Sequence, residues 1–345
     1  MNPWKQDLLV ELCQQGIMDE AQAAACRQQA EMPWFAALLS GMAAWLAALL
    51  LAGSVLLPFI DVGGVSMLIA ALVLLGVAIG LLRQQRVFAG QLGLALSLAG
   101  QALLVYAVAD WMEFDHYRSV AGMVVLVAAV MLRVPALFLH RLACVLLEMG
   151  AVMVLLGWHW LPLFCSVLAI MAVLLWLGRP RWATSRNAGL YRALASAATL
   201  VALAVPALDY FYVWGGIGKP LSVTAWQGWL PPLLVGALLL STCIWLLRKS
   251  PVMHLLGGAA VALILSVLGH QTPGFLIAAA LWLALFQAGE RFWCILVGIG
   301  ASLYLGQLYY GLHMTLLHKS ILLMLCGVVL LGARYCLLKS WGDSA

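Results

Sequence analysis

The sequence predicts an all-α, polytopic integral membrane protein: a bundle of about twelve transmembrane helices with both termini cytoplasmic, preceded by an amphipathic helical hairpin. Three observations predict it. Of the 345 residues, 65% are hydrophobic and only 9% are charged, where a soluble domain has about 25% charged residues. The mean hydropathy is strongly positive, and the apolar runs are continuous instead of alternating. They are therefore helices, because a backbone group left unbonded in hydrocarbon costs several kcal/mol and only helices and closed barrels avoid that cost. Finally, the net charge of +5 comes from short basic clusters between those runs. No continuous basic face exists for nucleic acid, and disorder is excluded by the same composition.

Residues 1–33 read as a separate cytoplasmic hairpin. They hold five acids, Asp7, Glu11, Asp19, Glu20 and Glu31. Leu8, Leu9, Leu12 and Cys13 make one apolar stripe at helical spacing. Gly16 is placed to stop that helix, and Asp19 with Gln22 three residues on reads as the cap that starts a second. The acidic run is too long for the basic start of a signal peptide and no short apolar core with a cleavage site follows, so no cleaved leader is expected. The hairpin fits a surface lying against cytoplasmic loops, or a docking site for another protein.

Apolar segments follow at 34–57, 64–82, 87–109, 117–132, 136–157, 161–178, 188–207, 229–247, 252–269, 274–289, 292–311 and 318–338. Most reach the roughly 17 to 25 residues that cross about 30 Å of hydrocarbon; 117–132 and 274–289 are short and depend on their flanks. The transmembrane domain is thus 34–338 and the cytoplasmic tail 339–345. Charge supports the count, since cytoplasmic loops are enriched in Lys and Arg. With twelve spans and the amino terminus inside, only Arg118, Lys219 and Lys319 of the 18 Lys and Arg fall outside. Removing the short fourth span inverts everything after it and leaves 6 inside against 12 outside. Trp34, Trp111, Trp158, Trp160, Trp182, Trp214, Trp226, Trp229, Trp293 and Trp341 lie at or near span ends, the headgroup layer that suits an indole.

The eight cysteines do not form a framework: six, Cys144, Cys165, Cys243, Cys294, Cys326 and Cys336, fall in spans, Cys13 and Cys26 lie in the cytoplasmic hairpin, and no CxxC occurs. They read as small packing residues. The 32 glycines and many alanines suit close helix contact in lipid.

An ionisable group inside a span costs at least about 2.5 to 3.5 kcal/mol at the bilayer centre and is a site candidate for that reason. Glu148 sits midway along the fifth segment, in LEMGAVM, too deep to reach water. It reads either as a carboxyl hydrogen-bonded in the bundle or as a proton-coupling or substrate-binding group, with Arg192 of the seventh segment as a partner. A second cluster lies at the outer ends of the last two segments: Gln307, Tyr309, Tyr310, His313, Thr315, His318, Lys319 and Ser320. Lys319 either snorkels to the interface or makes, with His313 and His318, a cationic pocket for a carboxylate or phosphate. His116, His159 and His270 also face outward, but without a metal-ligand spacing, so no metal or cofactor is expected. Signatures of nucleophilic, P-loop, zincin or dinucleotide enzymes are absent. Two outer connections, Asp110–Arg118 (DWMEFDHYR) and Asp209–Gly228, are aromatic, and the second is the longest in the chain. Connections of that length are often functional.

Residues 315–320, TLLHKS, followed by Leu322, Gly327, Leu330, Leu331 and Arg334, resemble a TLLxKS signature at the carboxy end of a bacterial family of polytopic membrane proteins labelled a domain of unknown function. The opening hairpin followed by PWFAALLSGMAAWLAALLL resembles that family too, and a related one whose hairpin reads LxxxGxIxxxxA, matched by Leu12, Gly16, Ile17 and, one place early, Ala21. The middle segments match only in hydropathy. The resemblance implies a bacterial cytoplasmic (inner) membrane location and, often, a neighbouring gene for a small membrane-anchored protein with a GDYxxLxY motif. It marks Thr315, Lys319 and Ser320 without assigning chemistry. These readings together expect a non-enzymatic membrane subunit that binds a partner protein at its periplasmic face. The alternatives are a transporter of a lipidic or anionic solute using Glu148 and Lys319, and a membrane-embedded transferase with His313 or His318 as base.

Overall fold

The computed structural model describes residues 34–56, 64–84, 86–112, 116–134, 136–214, 225–270 and 272–311, together with residues 10–16 and scattered single positions. Eleven long helices fill these stretches: α1 (Trp34–Leu56), α2 (Gly64–Leu82), α3 (Val87–Trp111), α4 (Tyr117–Leu132), α5 (Phe138–Leu156), α6 (Leu161–Leu177), α7 (Ala188–Trp214), α8 (Ala225–Leu247), α9 (Val252–Leu268), α10 (Pro273–Ala288) and α11 (Arg291–Gly311). No strand occurs among the described residues. Five helices are long and apolar enough to cross a membrane, at Val65–Leu82, Phe88–Trp111, Phe138–Leu156, Ala188–Ala207 and Gly228–Leu247. Shorter apolar helices include Leu39–Leu51, Tyr117–Leu132, Leu161–Leu177, Val252–Val267 and Pro273–Ala288. The eleven helices coincide with the first eleven apolar segments of the sequence; the segment 318–338 lies almost wholly outside the described residues.

Two short elements lie between the expected segments, a 3-10 turn at Trp158–Trp160 and a helical turn at Arg179–Trp182. The long connection after the seventh segment is shorter than expected, because α7 continues through 208–214 and α8 begins at 225. Aromatic residues have intermediate helix propensity, so Tyr210, Phe211, Tyr212 and Trp214 do not by themselves end a helix. Pro206 lies inside α7 and cannot donate to the carbonyl four residues before it. At the amino end, the expected stop at Gly16 has a left-handed backbone, φ 67°, and the Asp19 carboxylate accepts from the backbone N–H of Glu20 at 2.8 Å.

Residues 1–140 and 141–345 form two compact units. In the first, α3 packs against α1, α2 and α4. The contact between α2 and α3 rests on small residues: Ala70, Ala71, Leu74 and Ala78 meet Ala95, Leu96 and Leu103. A Cβ on Gly100 would stand 2.9 Å from Leu75, and one on Gly93 3.2 Å from the Ala78 carbonyl oxygen. Lipid tails are as apolar as leucine, so such close backbone approach is what makes helices associate in a membrane. A polar chain also lies buried here: Gln101 Nε2 donates to Ser97 Oγ at 3.0 Å, and Ser97 Oγ is 3.0 Å from His140 Nε2.

In the second unit, α10 is the centre. It packs against α6, α7, α8 and α11 and buries Leu276, Ile277, Ala278, Ala280, Leu281, Ala284 and Leu285, while Trp282, Leu283 and Phe286 stay exposed on its remaining side. It has 16 residues, and a helix shorter than the hydrocarbon thickness is accommodated at a modest cost by its flanks and neighbours. Gly274 lies against the Tyr304 ring of α11, and the Tyr304 hydroxyl donates to the Leu203 carbonyl oxygen, three residues before Pro206 on α7.

Candidate functional site

The best-defined polar site of the second unit gathers at helix ends. The chain leaves α10 through Gly289, left-handed at φ 72°. The Gly289 N–H bonds the Phe286 carbonyl at 3.1 Å and the Glu290 N–H bonds that of Leu285 at 3.2 Å, the paired bonds of a Schellman cap. Only a residue tolerant of positive φ closes this turn, and it delivers Glu290 to the first turn of α11, where the Glu290 carbonyl accepts from Cys294 N–H at 3.0 Å.

Glu290 then ties three elements. Its Oε1 is 3.0 Å from Arg179 Nη2 and its Oε2 is 3.3 Å from Arg192 Nη2. Arg179 begins the helical turn after α6, and its Nη1 also donates to the Ala288 carbonyl, one of the orphan acceptors at the end of α10. Arg192 sits just inside α7. The Glu290 side chain is 11% exposed, against 36% and 50% for the two arginines. The carboxylate is therefore embedded while the cations reach outward.

Beneath the ion cluster lies an aromatic layer. Trp176 is fully buried, its ring centroid 6.4 Å from those of both Trp182 and Trp293. Its indole N–H donates to Thr199 Oγ1 at 3.0 Å, and that hydroxyl donates to the Ala195 carbonyl at 2.8 Å. Trp182 N–H donates to Leu175 O at 2.7 Å. The indole N–H groups of Trp176 and Trp182 therefore have their acceptors, as a buried donor requires.

The structure distributes the residues singled out from sequence. Glu148 lies on α5, half-buried, and forms no hydrogen bond or ion pair with a described residue. Arg192, read as its partner, engages Glu290 instead. Ser320 is exposed in a helical position. His313, Thr315, His318 and Lys319, the core of the cluster expected at the end of the last two segments, lie outside the described residues. Of the outer histidines, His116 is exposed before α4 and His270 Nδ1 lies 2.8 Å from Val267 O. Sequence reasoning passed over Glu290, Arg179 and the buried His140. The signal for Glu290 was available: it is the only acid between Asp209 and Asp343.

A model of Domain of unknown function (DUF4401) matches residues 33–340. The chain belongs to the DUF4401 family. No curated protein and no solved structure matches it. The DUF4401 match takes in every element of the Glu290 cluster and begins one residue before α1.

Proposed function

We propose that this DUF4401 chain is a non-enzymatic subunit of a bacterial cytoplasmic membrane, crossing twelve times with both termini inside, and that its periplasmic face binds a partner protein. The observation that carries this reading is the exposed patch where α3 gives way to α4. Trp111 is 73% and Tyr117 65% exposed, and Tyr106 and Met112 are exposed beside Asp110. A solitary interfacial indole is at home among headgroups. Four large side chains around an acidic connection offer apolar area with charge at its rim, the composition of a protein contact. The resemblance to families encoded beside a GDYxxLxY-motif protein supports a small membrane-anchored partner, with the connection between α7 and α8 and the His313, Thr315, His318, Lys319 and Ser320 region proposed to complete the face.

The test is mild solubilisation from native membranes followed by affinity capture of the chain. A small membrane-anchored protein is expected to co-elute, and Trp111→Ala with Tyr117→Ala is expected to lower its recovery while the chain itself is retained. A monodisperse monomer without companion overturns the reading. Orientation is tested separately by placing a cysteine in 179–186, which impermeant reagents added from the periplasm are expected to leave unlabelled.

One observation favours a second reading, transport of a lipidic or anionic solute. Glu148 is halfway along a helix long enough to cross a membrane and has no counter-ion among the described residues, and such groups mark solute or proton paths. Glu148→Gln that stays folded and abolishes solute flux in proteoliposomes supports transport; unchanged flux removes it.

A further inference from the structure

Close to the Glu290 cluster, the start of α7 collects more positive charge than its own side chains offset. The guanidinium of Arg141, from the beginning of α5, lies over Gly189: a Cβ there would stand 2.6 Å from Arg141 Nη1. Arg192, three residues further, is on the same side of α7 and is bound to Glu290, which it shares with Arg179. Arg141 and Arg192 thus both lie at the start of α7, and Glu290 is shared between Arg192 and Arg179. Arg141 Nε is buried and has no hydrogen-bond partner among the described residues, an arrangement that ordinarily costs free energy unless something accepts the bond. The helix end sharpens the imbalance. The first turn of α7 has no acidic residue, although the amino end of a helix carries the equivalent of about half a positive charge and disfavours cations.

Arg141 held over such a turn is the opposite of what that dipole favours, and an anion beside it reverses the sign. We infer that Arg141 and Arg192, at the starts of α5 and α7, together with Arg179, form a site for a phosphate group, and that the phosphate is the headgroup of an anionic phospholipid. Three features of the cluster fit that chemistry. Guanidinium forks match phosphate oxygens. The site lies at helix ends, where headgroups lie, and basic pockets between transmembrane helices are known to hold anionic lipid heads. Arg179 and Arg192 are exposed enough to reach a ligand while Glu290 fixes their stems. Gly189 is then required for its missing side chain, since any Cβ would displace Arg141.

The experiment uses the full chain in nanodiscs of phosphatidylethanolamine alone, in nanodiscs also containing cardiolipin, and in phosphatidylethanolamine nanodiscs with inorganic phosphate in solution. Thermal unfolding and native mass spectrometry are the readouts. Cardiolipin is expected to raise Tm and to remain bound, and Arg141→Gln is expected to weaken its retention about tenfold. Arg141→Lys keeps the charge but loses the fork and is expected to fall between. Arg181→Gln, which alters an exposed arginine that shares the turn of Arg179 but is not one of the three site residues, is expected to behave as the unaltered chain. If Arg141→Gln does not fold, Gly189→Ala takes its place, because it moves the flexible end of Arg141 without removing charge. Equal retention by the unaltered chain and Arg141→Gln or Gly189→Ala overturns the site. An equal loss with Arg181→Gln reduces it to general surface charge and overturns it as well. A Tm rise with inorganic phosphate as large as that with cardiolipin overturns the lipid assignment.

Discussion

In the first unit, α2 and α3 meet through Gly93, Gly100 and a row of alanines, with one buried Gln101–Ser97–His140 chain. In the second unit, the helices around α10 are joined at one end by a carboxylate shared between two arginines, above a buried tryptophan layer. The contrast follows from the solvent. Between helices in lipid there is little hydrophobic driving force, so association depends on close van der Waals approach, on hydrogen bonds, or on ties at the interface where charge is tolerated. The first unit uses the first two devices. The second adds the third.

The largest effect is expected from the tryptophan layer. Trp176→Ala removes a fully buried ring and leaves the Thr199 hydroxyl without its donor, a loss of about 3–5 kcal/mol. Thermal unfolding in detergent is expected to show a drop in Tm of many degrees; a drop no larger than that of an exposed lipid-facing position such as Leu174→Ala would show that the layer does not hold the second unit together.

The small-residue seam comes next. Gly100→Val drives a branched side chain into Leu75 and its backbone, an overpacking cost of about 1–3 kcal/mol. The same substitution at Gly76, where a Cβ meets nothing within 4 Å, is expected to leave Tm nearly unchanged. If the two variants melt alike, close approach is not what binds α2 to α3.

Hydropathy made the helices legible, because a run of apolar residues in lipid has one way to satisfy its backbone. Even the short segment at 274–289 was placed, although its central position could not be seen: its apolar composition does not distinguish a helix facing lipid from one facing protein. Glu290 was hidden for a different reason. It lies in a connector, and a charge in a connector reads as solvated; only the Schellman turn at Gly289 folds it back onto Arg179 and Arg192. Arg192 was noticed but matched to Glu148, since sequence distance says nothing of which helix end meets which. His140 escaped because its partner Ser97 is 43 residues away.

The ion cluster is expected to show a third, more modest effect. Glu290→Gln keeps the shape and leaves the arginines without their shared anion, at a cost of about 1–3 kcal/mol. Because both arginines are partly exposed, salt screens some of that interaction. Raising ionic strength should therefore lower Tm in the unaltered chain more than in Glu290→Gln. Parallel salt curves would mean that the carboxylate acts as a hydrogen-bond acceptor alone.

The smallest effect separates the units most finely. Ser97→Ala removes the hydroxyl between Gln101 and His140, and interhelical hydrogen bonds in membranes average about 0.6 kcal/mol. A shift of a degree or two, insensitive to salt, is the expected signature of a buried neutral chain. A salt-dependent shift as large as that of Glu290→Gln would mean that His140 is charged where it lies, and that the first unit, like the second, is held by an ionic tie.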